Sequence, residues 1–359
     1  MKELLGESLG WSYAQLIHIV RMMYWVWVPG FLLSAFLSLR YRAPAWERLL
    51  ASGKEGFATA WPRAVWYGVT ASPRPRTTLE DADRLLDAGV SPASAVAALV
   101  ASRNLPVYLL ALLTLHLGVE FAVGHVLGTL AMASLAYMAV SRWSPAGDRP
   151  SRAETTGSTA PSLPLVAEND PERASWSALL FSGRGWARAL GYAWTEFRWF
   201  WPGLALGILA GGFVLAAGLK AWWIELAAVG GGGVVSDLVN AGGGPLLGAL
   251  LSRPPVGNLP VGTAFFKTDT LAYPGFVGFI LASSLRMSDL AAYRRVWGTR
   301  GAVRLVAGLY AAAFLGSLFP VGVFALFGFR PGHIPLFRDV VDEILRWIPF
   351  AMPPGGMGL

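Results

Sequence analysis

Seven stretches of this chain are apolar over more than twenty residues each: Gln15 to Leu39, Ala93 to Leu117, Val119 to Val140, Trp199 to Trp223, Leu226 to Leu251, Leu259 to Leu285 and Ala302 to Phe329. At 1.5 Å per residue, about 20 residues of helix cross a hydrocarbon core of roughly 30 Å. Inside that core every backbone N–H and C=O must be satisfied internally, which leaves helices or closed barrels, and apolar runs of this length select helices. Phe57 to Thr70 is a shorter apolar piece that completes a set of eight. The bulk composition agrees: 54% hydrophobic against 14% charged residues and a mean hydropathy of +0.49 are too apolar for a polar surface to cover. The expectation is an all-α polytopic membrane protein of about eight transmembrane helices, in two fused halves with broken helices.

The one long polar stretch, from about Arg142 to Arg198, divides the apolar set into four and four. Residues 1–143 form a first membrane half, 144–196 a polar linker, and 197–359 a second half with a tail. From Ser144 to Glu172 the linker is rich in Pro, Ser, Thr, Gly and charge and offers no core, so it reads as flexible. From Ser175 to Phe197 the spacing of Trp176, Leu179, Leu180, Trp186, Leu190 and Trp194 reads as a helix lying in the interface. Eight spans put the linker and both termini on one side, and the loops of Arg40 to Lys54 and Arg286 to Arg304 on the other. Arginines on both sides leave the positive-inside comparison undecided; a long polar linker is most simply left in the cytoplasm. The start of the chain, with His18 and Arg21 inside its first apolar span, does not read as a cleaved signal.

The formal charge is +7, but the basic residues sit in short loops and at helix ends, such as Arg40, Arg42, Arg48, Arg294, Arg295, Arg300 and Arg304. Anionic lipid headgroups are the partners this pattern fits, and nucleic acid is not. Cysteine is absent, and the four histidines, His18, His116, His125 and His333, have no second ligand at metal spacing, so no metal site is expected. No phosphate loop, dinucleotide fingerprint or nucleophile elbow occurs, so no cofactor and no enzyme are expected. Uphill transport would draw on a coupling ion, proton or sodium, or on a partner.

Helix breakers and charge inside the apolar runs mark candidate solute-binding residues. Asn258-Leu259-Pro260 follows Gly242-Gly243-Gly244-Pro245 and precedes Lys267 and Asp269. Broken backbone at membrane depth needs a cavity to face, the arrangement found at transporter sites. Arg103-Asn104-Leu105-Pro106 interrupts another run in the same way, since Pro lacks a donor and Asn offers both donor and acceptor. The tetrapeptide Asn104-Leu105-Pro106-Val107 recurs as Asn258-Leu259-Pro260-Val261. Asp237 lies between two glycine clusters, and a carboxylate in a span costs on the order of 3 kcal/mol. The economical expectation is that Asn258, Lys267, Asp269 and Asp237 share one wet midplane cavity. The bland alternatives stand beside it: a kink capped by Asn104 itself, an exposed turn at Lys267 and Asp269, and a solvated loop around Asp237.

Gly257-Asn258-Leu259-Pro260-Val261-Gly262-Thr263-Ala264, Phe276-Val277-Gly278-Phe279-Ile280-Leu281-Ala282, Tyr293-Arg294-Arg295-Val296-Trp297-Gly298 and Phe197-Arg198-Trp199-Phe200-Trp201-Pro202-Gly203 resemble, in this order, a family of predicted bacterial permeases that includes the organoarsenical efflux permeases. The resemblance implies a multi-pass bacterial inner-membrane permease that exports a small-molecule solute. That family carries a Pro-x-Cys-x-Cys type motif after the second span, where this chain has Thr70-Ala71-Ser72-Pro73-Arg74-Pro75-Arg76-Thr77. Without thiolates the soft-ligand site for trivalent arsenic is missing. Arg74 and Arg76 would instead suit an anionic or strongly hydrogen-bonding solute, unless they snorkel to headgroups. The competing class is a non-transporting membrane protein, an assembly factor or an intramembrane enzyme, with a solid apolar core in place of a polar cavity.

Overall fold

Every regular element among the described residues is helical, as backbone at membrane depth requires. The computed structural model describes residues 2–22, 28–41, 50–51, 56–70, 82–143, 176–218, 233–251, 255–329 and 331. The helices are α1 (Lys2–Met22), α2 (Val28–Tyr41), α3 (Phe57–Thr70), α4 (Pro92–Asn104), α5 (Val107–His116), α6 (Val119–Arg142), α7 (Trp176–Leu180), α8 (Gly183–Gly218), α9 (Val234–Leu251), α10 (Pro255–Lys267), α11 (Tyr273–Leu281) and α12 (Leu290–Leu326). By length and composition, four helical stretches among these residues can cross a membrane: Val119–Arg142, Gly183–Ala217, Val234–Leu251 and Tyr273–Leu326. The bent pair Pro92–Asn104 and Val107–Thr114 adds a fifth. The chain is an all-α polytopic membrane protein.

The break at Asn104-Leu105-Pro106 is present. Pro106 cannot donate to the preceding turn and disfavours helical backbone at Leu105, so α4 ends there and α5 leaves at 44°. The second expected break is absent, because α10 runs unbroken through Asn258-Leu259-Pro260. Asn258 is the fourth residue of α10, in the turn whose N–H groups have no helical partner anyway, so Pro260 frees only the carbonyl of Val256. The run from Leu259 to Leu285 is interrupted further on. It turns at Thr268–Ala272, where Asp269 has φ 52°, and after α11 it tightens into two short 3-10 helices, Ala282–Ser284 and Met287–Asp289.

Two other expectations are corrected. The interfacial helix of Ser175 to Phe197 is not a separate element: from Gly183 it is continuous with the next span, giving the 36 residues of α8. At 1.5 Å per residue that is about 54 Å, well beyond the hydrocarbon core, and no proline stands between Arg184 and Phe197 to stop it. The first apolar run is described in two parts, the end of α1 and α2, with residues 23–27 between them outside the described residues. The last span begins earlier, at Leu290, and bends at Gly298, whose φ of 70° only glycine adopts freely. Ser144 to Glu172, Arg74 and Arg76 lie outside the described residues.

The sidedness expected for Arg286 to Arg304 also changes. Arg304 lies 5.6 Å over the Trp143 ring, so this part of α12 shares an end of the bundle with the C-terminus of α6, where the linker starts. In packing, α4 lies between α3 and α6, α11 rests on α9 and α12, and α8 holds α1 and α10. The contact of α6 with α12 is as close as backbones allow: a Cβ on Gly128 would stand 2.8 Å from the Gly316 carbonyl oxygen, and one on Gly316 the same distance from that of Gly128. Without apolar-against-water driving force, small residues at such crossings are what let helices associate. Gly316→Leu is therefore expected to force the helices apart and cost about 1–3 kcal/mol. A thermal unfolding midpoint in detergent equal to that of the wild type would contradict this.

Candidate functional site

The broken end of α4 is the centre of a buried polar junction. Asn104, fully buried, donates from Nδ2 to the Val100 carbonyl at 3.0 Å and to Ser284 Oγ at 3.1 Å, and its Oδ1 accepts from Ser283 Oγ at 2.8 Å. Its amide therefore caps its own helix and also ties α4 to the 3-10 turn after α11. The Asn104 carbonyl, whose helical donor the Leu105-Pro106 break displaces, is met by His125 Nε2 from α6 at 2.7 Å. A carbonyl only accepts, so Nε2 carries the hydrogen. In the neutral ring the lone pair is then on Nδ1, which is buried with no hydrogen-bond partner.

Charge holds the same junction together. Arg103 meets Asp289 at 2.5 Å, and Arg286 closes on the same carboxylate from Nε at 3.1 Å and from Nη2 at 2.9 and 2.8 Å. Tyr293 donates to the Ser284 carbonyl at 2.7 Å, and Arg103 reaches the Ser283 carbonyl at 3.3 Å. Arg103, Arg286, Asp289 and Tyr293 are all buried. The segment Arg286 to Asp289 is thus no outer loop but folds back against α4.

Asn258 stands on α10, which packs on α8 and is joined to α11 by a tight hairpin. The α10–α11 hairpin turns at Thr268–Ala272, with Phe265 5.8 Å from Phe279, Phe266 6.0 Å from Phe276, and Gly262 against the rings of Phe276 and Phe279. Asn258 lies one turn before Gly262, and a Cβ on Gly207 of α8 would stand 2.1 Å from the carbonyl oxygen of its neighbour Gly257. Asn258 is fully buried, and neither its Oδ1 nor its Nδ2 has a partner; Thr263 Oγ1 on the same helix is also buried without one. Leaving a buried polar group unmet costs about 1–3 kcal/mol. Pro260 is buried on the turn that follows.

The other candidates lie elsewhere. Lys267 and Asp269 are exposed at the far end of α10, and nine residues of helix put Lys267 about 14 Å from Asn258 along the axis. Asp237 is half-buried in the first turn of α9, near that same end, because Asn240 one turn on accepts from the Ala272 N–H at 2.7 Å. The junction therefore brings together Arg103 and Asn104; Asn258 is buried on α10, and Lys267, Asp269 and Asp237 lie near the far end of that helix. Asp289, Arg286, Tyr293, Ser283 and Ser284 had no assigned role in the sequence. Asp289 beside Arg286 looked like an interfacial loop, and the signal that could have found it is that no other acid stands between Thr270 and Phe329. Among the described residues no group of three His, Cys, Asp or Glu is placed to hold a metal ion. A cavity of about 280 Å³ opens away from the junction, between α6 and α12.

A model of the predicted permease family matches residues 12–324, which takes in α2 to α11 whole and nearly all of α12. The chain belongs to the predicted permease family. No curated protein and no solved structure matches it. Membership places the chain among multi-pass proteins of membrane transport, and the matched span contains both the α4 break and Asn258. For this permease, Asp289→Asn is expected to lower folding stability by about 3–5 kcal/mol, because Arg103 and Arg286 would lose their shared buried carboxylate. Denaturant unfolding in detergent measures it, and a loss under about 1 kcal/mol would show that the pairing does not hold the junction.

Proposed function

We propose that this permease is a secondary exporter of the bacterial cytoplasmic membrane, built from two halves, 1–143 and 197–359, that binds a small hydrogen-bonding solute at the junction of its broken helices. The observation that carries this reading is the Asn258 amide, fully buried with donor and acceptor both unused. Asn104 has the same side chain and is saturated by the protein, so it serves as a structural clamp. Asn258 is the one left for a solute. An asymmetric pair of this kind suits a ligand that presents an acceptor and a donor, such as an oxyanion acid or an amide, and the lack of cysteine argues against a trivalent arsenical held by thiolates.

The test is a thermal-shift screen of small oxyanions, amides and organoarsenicals on detergent-purified protein. A ligand at 100 times its Kd stabilises the folded state by about 2.7 kcal/mol. Asn258→Leu removes an unmet polar group, so its own melting temperature should equal or exceed that of the wild type while the solute-induced shift is lost. A solute that stabilises both proteins equally, or an Asn258→Leu protein that melts lower, would make Asn258 structural and reject the reading.

Proton is the coupling ion this site supports, through the free Nδ1 lone pair of His125. Five residues before His125 on the same helix stands Glu120, whose carbonyl accepts from the Tyr273 hydroxyl of α11, and Arg103 directly precedes the Asn104 whose carbonyl His125 meets. His125→Gln keeps an N–H for the Asn104 carbonyl but takes up no proton. Once a solute is identified, this variant is expected to exchange it in proteoliposomes and to lose acceleration by an imposed pH gradient; acceleration equal to that of the wild type would rule out His125 as the proton carrier.

A further inference from the structure

The backbone of α9 to α12 repeats that of α3 to α6. The helical stretch 82–87 ends in three hydrogen bonds, Ala88 N to Arg84 O at 2.8 Å, Gly89 N to Leu86 O at 3.1 Å and Val90 N to Leu85 O at 2.9 Å. The end of α10 makes the same three, Thr268 N to Ala264 O at 3.1 Å, Asp269 N to Phe266 O at 3.1 Å and Thr270 N to Phe265 O at 2.9 Å. Gly89 and Asp269 hold the same place in the two turns and share a positive φ, 86° and 52°. A proline then opens the next helix, Pro92 in α4 and Pro274 in α11. Ahead of each turn a glycine presses an earlier helix onto that one. A Cβ on Gly68 of α3 would strike the Ala98 carbonyl oxygen and the Ala101 Cβ, and one on Gly248 of α9 would strike the Phe279 carbonyl oxygen and the Ala282 Cβ. Further on, α6 and the outer part of α12 each follow a glycine of positive φ and extended ψ, Gly118 (φ 122°, ψ 163°) and Gly298 (φ 70°, ψ 172°). A helix stop of this kind is common by itself. The whole series, in one order and at a nearly constant displacement along the chain, marks a duplicated unit.

The last helices of the two units run in opposite directions. Arg304 stands at Trp143, Leu305 and Leu309 line one groove with Ala136 and Val140, and Gly316 meets Gly128, so rising numbers on α12 face falling numbers on α6. The Gly128 and Gly316 approach, 2.8 Å either way, is unchanged when the two helices are exchanged, as a two-fold axis through the crossing requires. Both helices belong to stretches that can cross a membrane, so that axis lies in the membrane plane. A duplication about the membrane normal would leave α6 and α12 parallel. The copies are not identical: α12 has about two more turns than α6 between its glycine and the crossing.

We infer that α3 to α6 and α9 to α12 are inverted copies of one unit, and that they open the junction between them to alternate faces of the membrane. At that junction Asn104 of the first unit meets Ser283 and Ser284 of the second. Copies of one fold can each adopt the other's conformation, and exchanging the two conformations turns the structure to face the opposite side. The alternate opening rests on the permease reading; the inverted duplication does not.

The chain has no cysteine, so single thiols report sidedness. Ala88→Cys and Lys267→Cys place one at each of the equivalent turns, at exposed positions. In inside-out and right-side-out vesicles of the full chain, a membrane-impermeant maleimide should label one of them only from the cytoplasmic face and the other only from the opposite face. Labelling of both from the same face would overturn the inverted duplication. Ser283→Cys, a conservative change at the junction, should be labelled in vesicles of either orientation. Labelling from one face only, or from neither, would overturn the alternate opening while leaving the duplication to the first pair of thiols, and neither result depends on whether Asn258 binds the solute.

Discussion

A buried charge has to find its opposite, and in this permease Arg103 and Arg286 both find Asp289. Removing such groups from water costs several kcal/mol each, which only close, multiply bonded geometry returns. That requirement fixes the broken end of α4 on the segment joining α11 to α12, although Arg103 and Asp289 stand 186 positions apart in sequence. The Asn104 bonds to Ser283 and Ser284 and the Tyr293 bond to the Ser284 carbonyl fit around the same anchor. Two places where helix stops thereby satisfy each other's polar groups.

The tetrapeptide Asn-Leu-Pro-Val occurs twice and does opposite things. At the C-terminus of α4, Pro106 ends the helix and Asn104 spends its whole amide closing the wound. At the start of α10, Pro260 is absorbed into a continuous helix, and the Asn258 amide is left unused. Position within the helix decides it, because the first turn has spare N–H groups and the interior does not. The proposed solute contact follows from that difference. One asparagine is held by the protein and the other waits.

The membrane class was legible from apolar run length alone, and the α4 break from Pro106, because both depend on local chemistry. The α10 break was misplaced for the same reason: the local string was read without knowing that the helix begins at Pro255. Arg103 and Asn104 were found as candidates, but their partners could not be, since Asp289, Ser283 and Ser284 become neighbours only through the tertiary fold. Lys267 and Asp269 looked costly because they sat inside an apolar run; the Thr268–Ala272 turn brings them to an exposed end, where that cost disappears. The 36-residue length of α8 was hidden by a change of composition at Phe197 that leaves helix propensity untouched.

The absence of native cysteine makes the central proposal directly measurable, since any introduced thiol is the only one in the chain. Single substitutions Asn258→Cys and Ser283→Cys, with Asp269→Cys as the exposed reference, can be reacted in membrane vesicles with a small water-soluble methanethiosulfonate. A solute pathway through the junction requires the buried pair to react, more slowly than position 269 but completely, as the protein opens. If positions 258 and 283 stay unmodified while position 269 is fully labelled, water does not reach the junction, and a solute site there is contradicted.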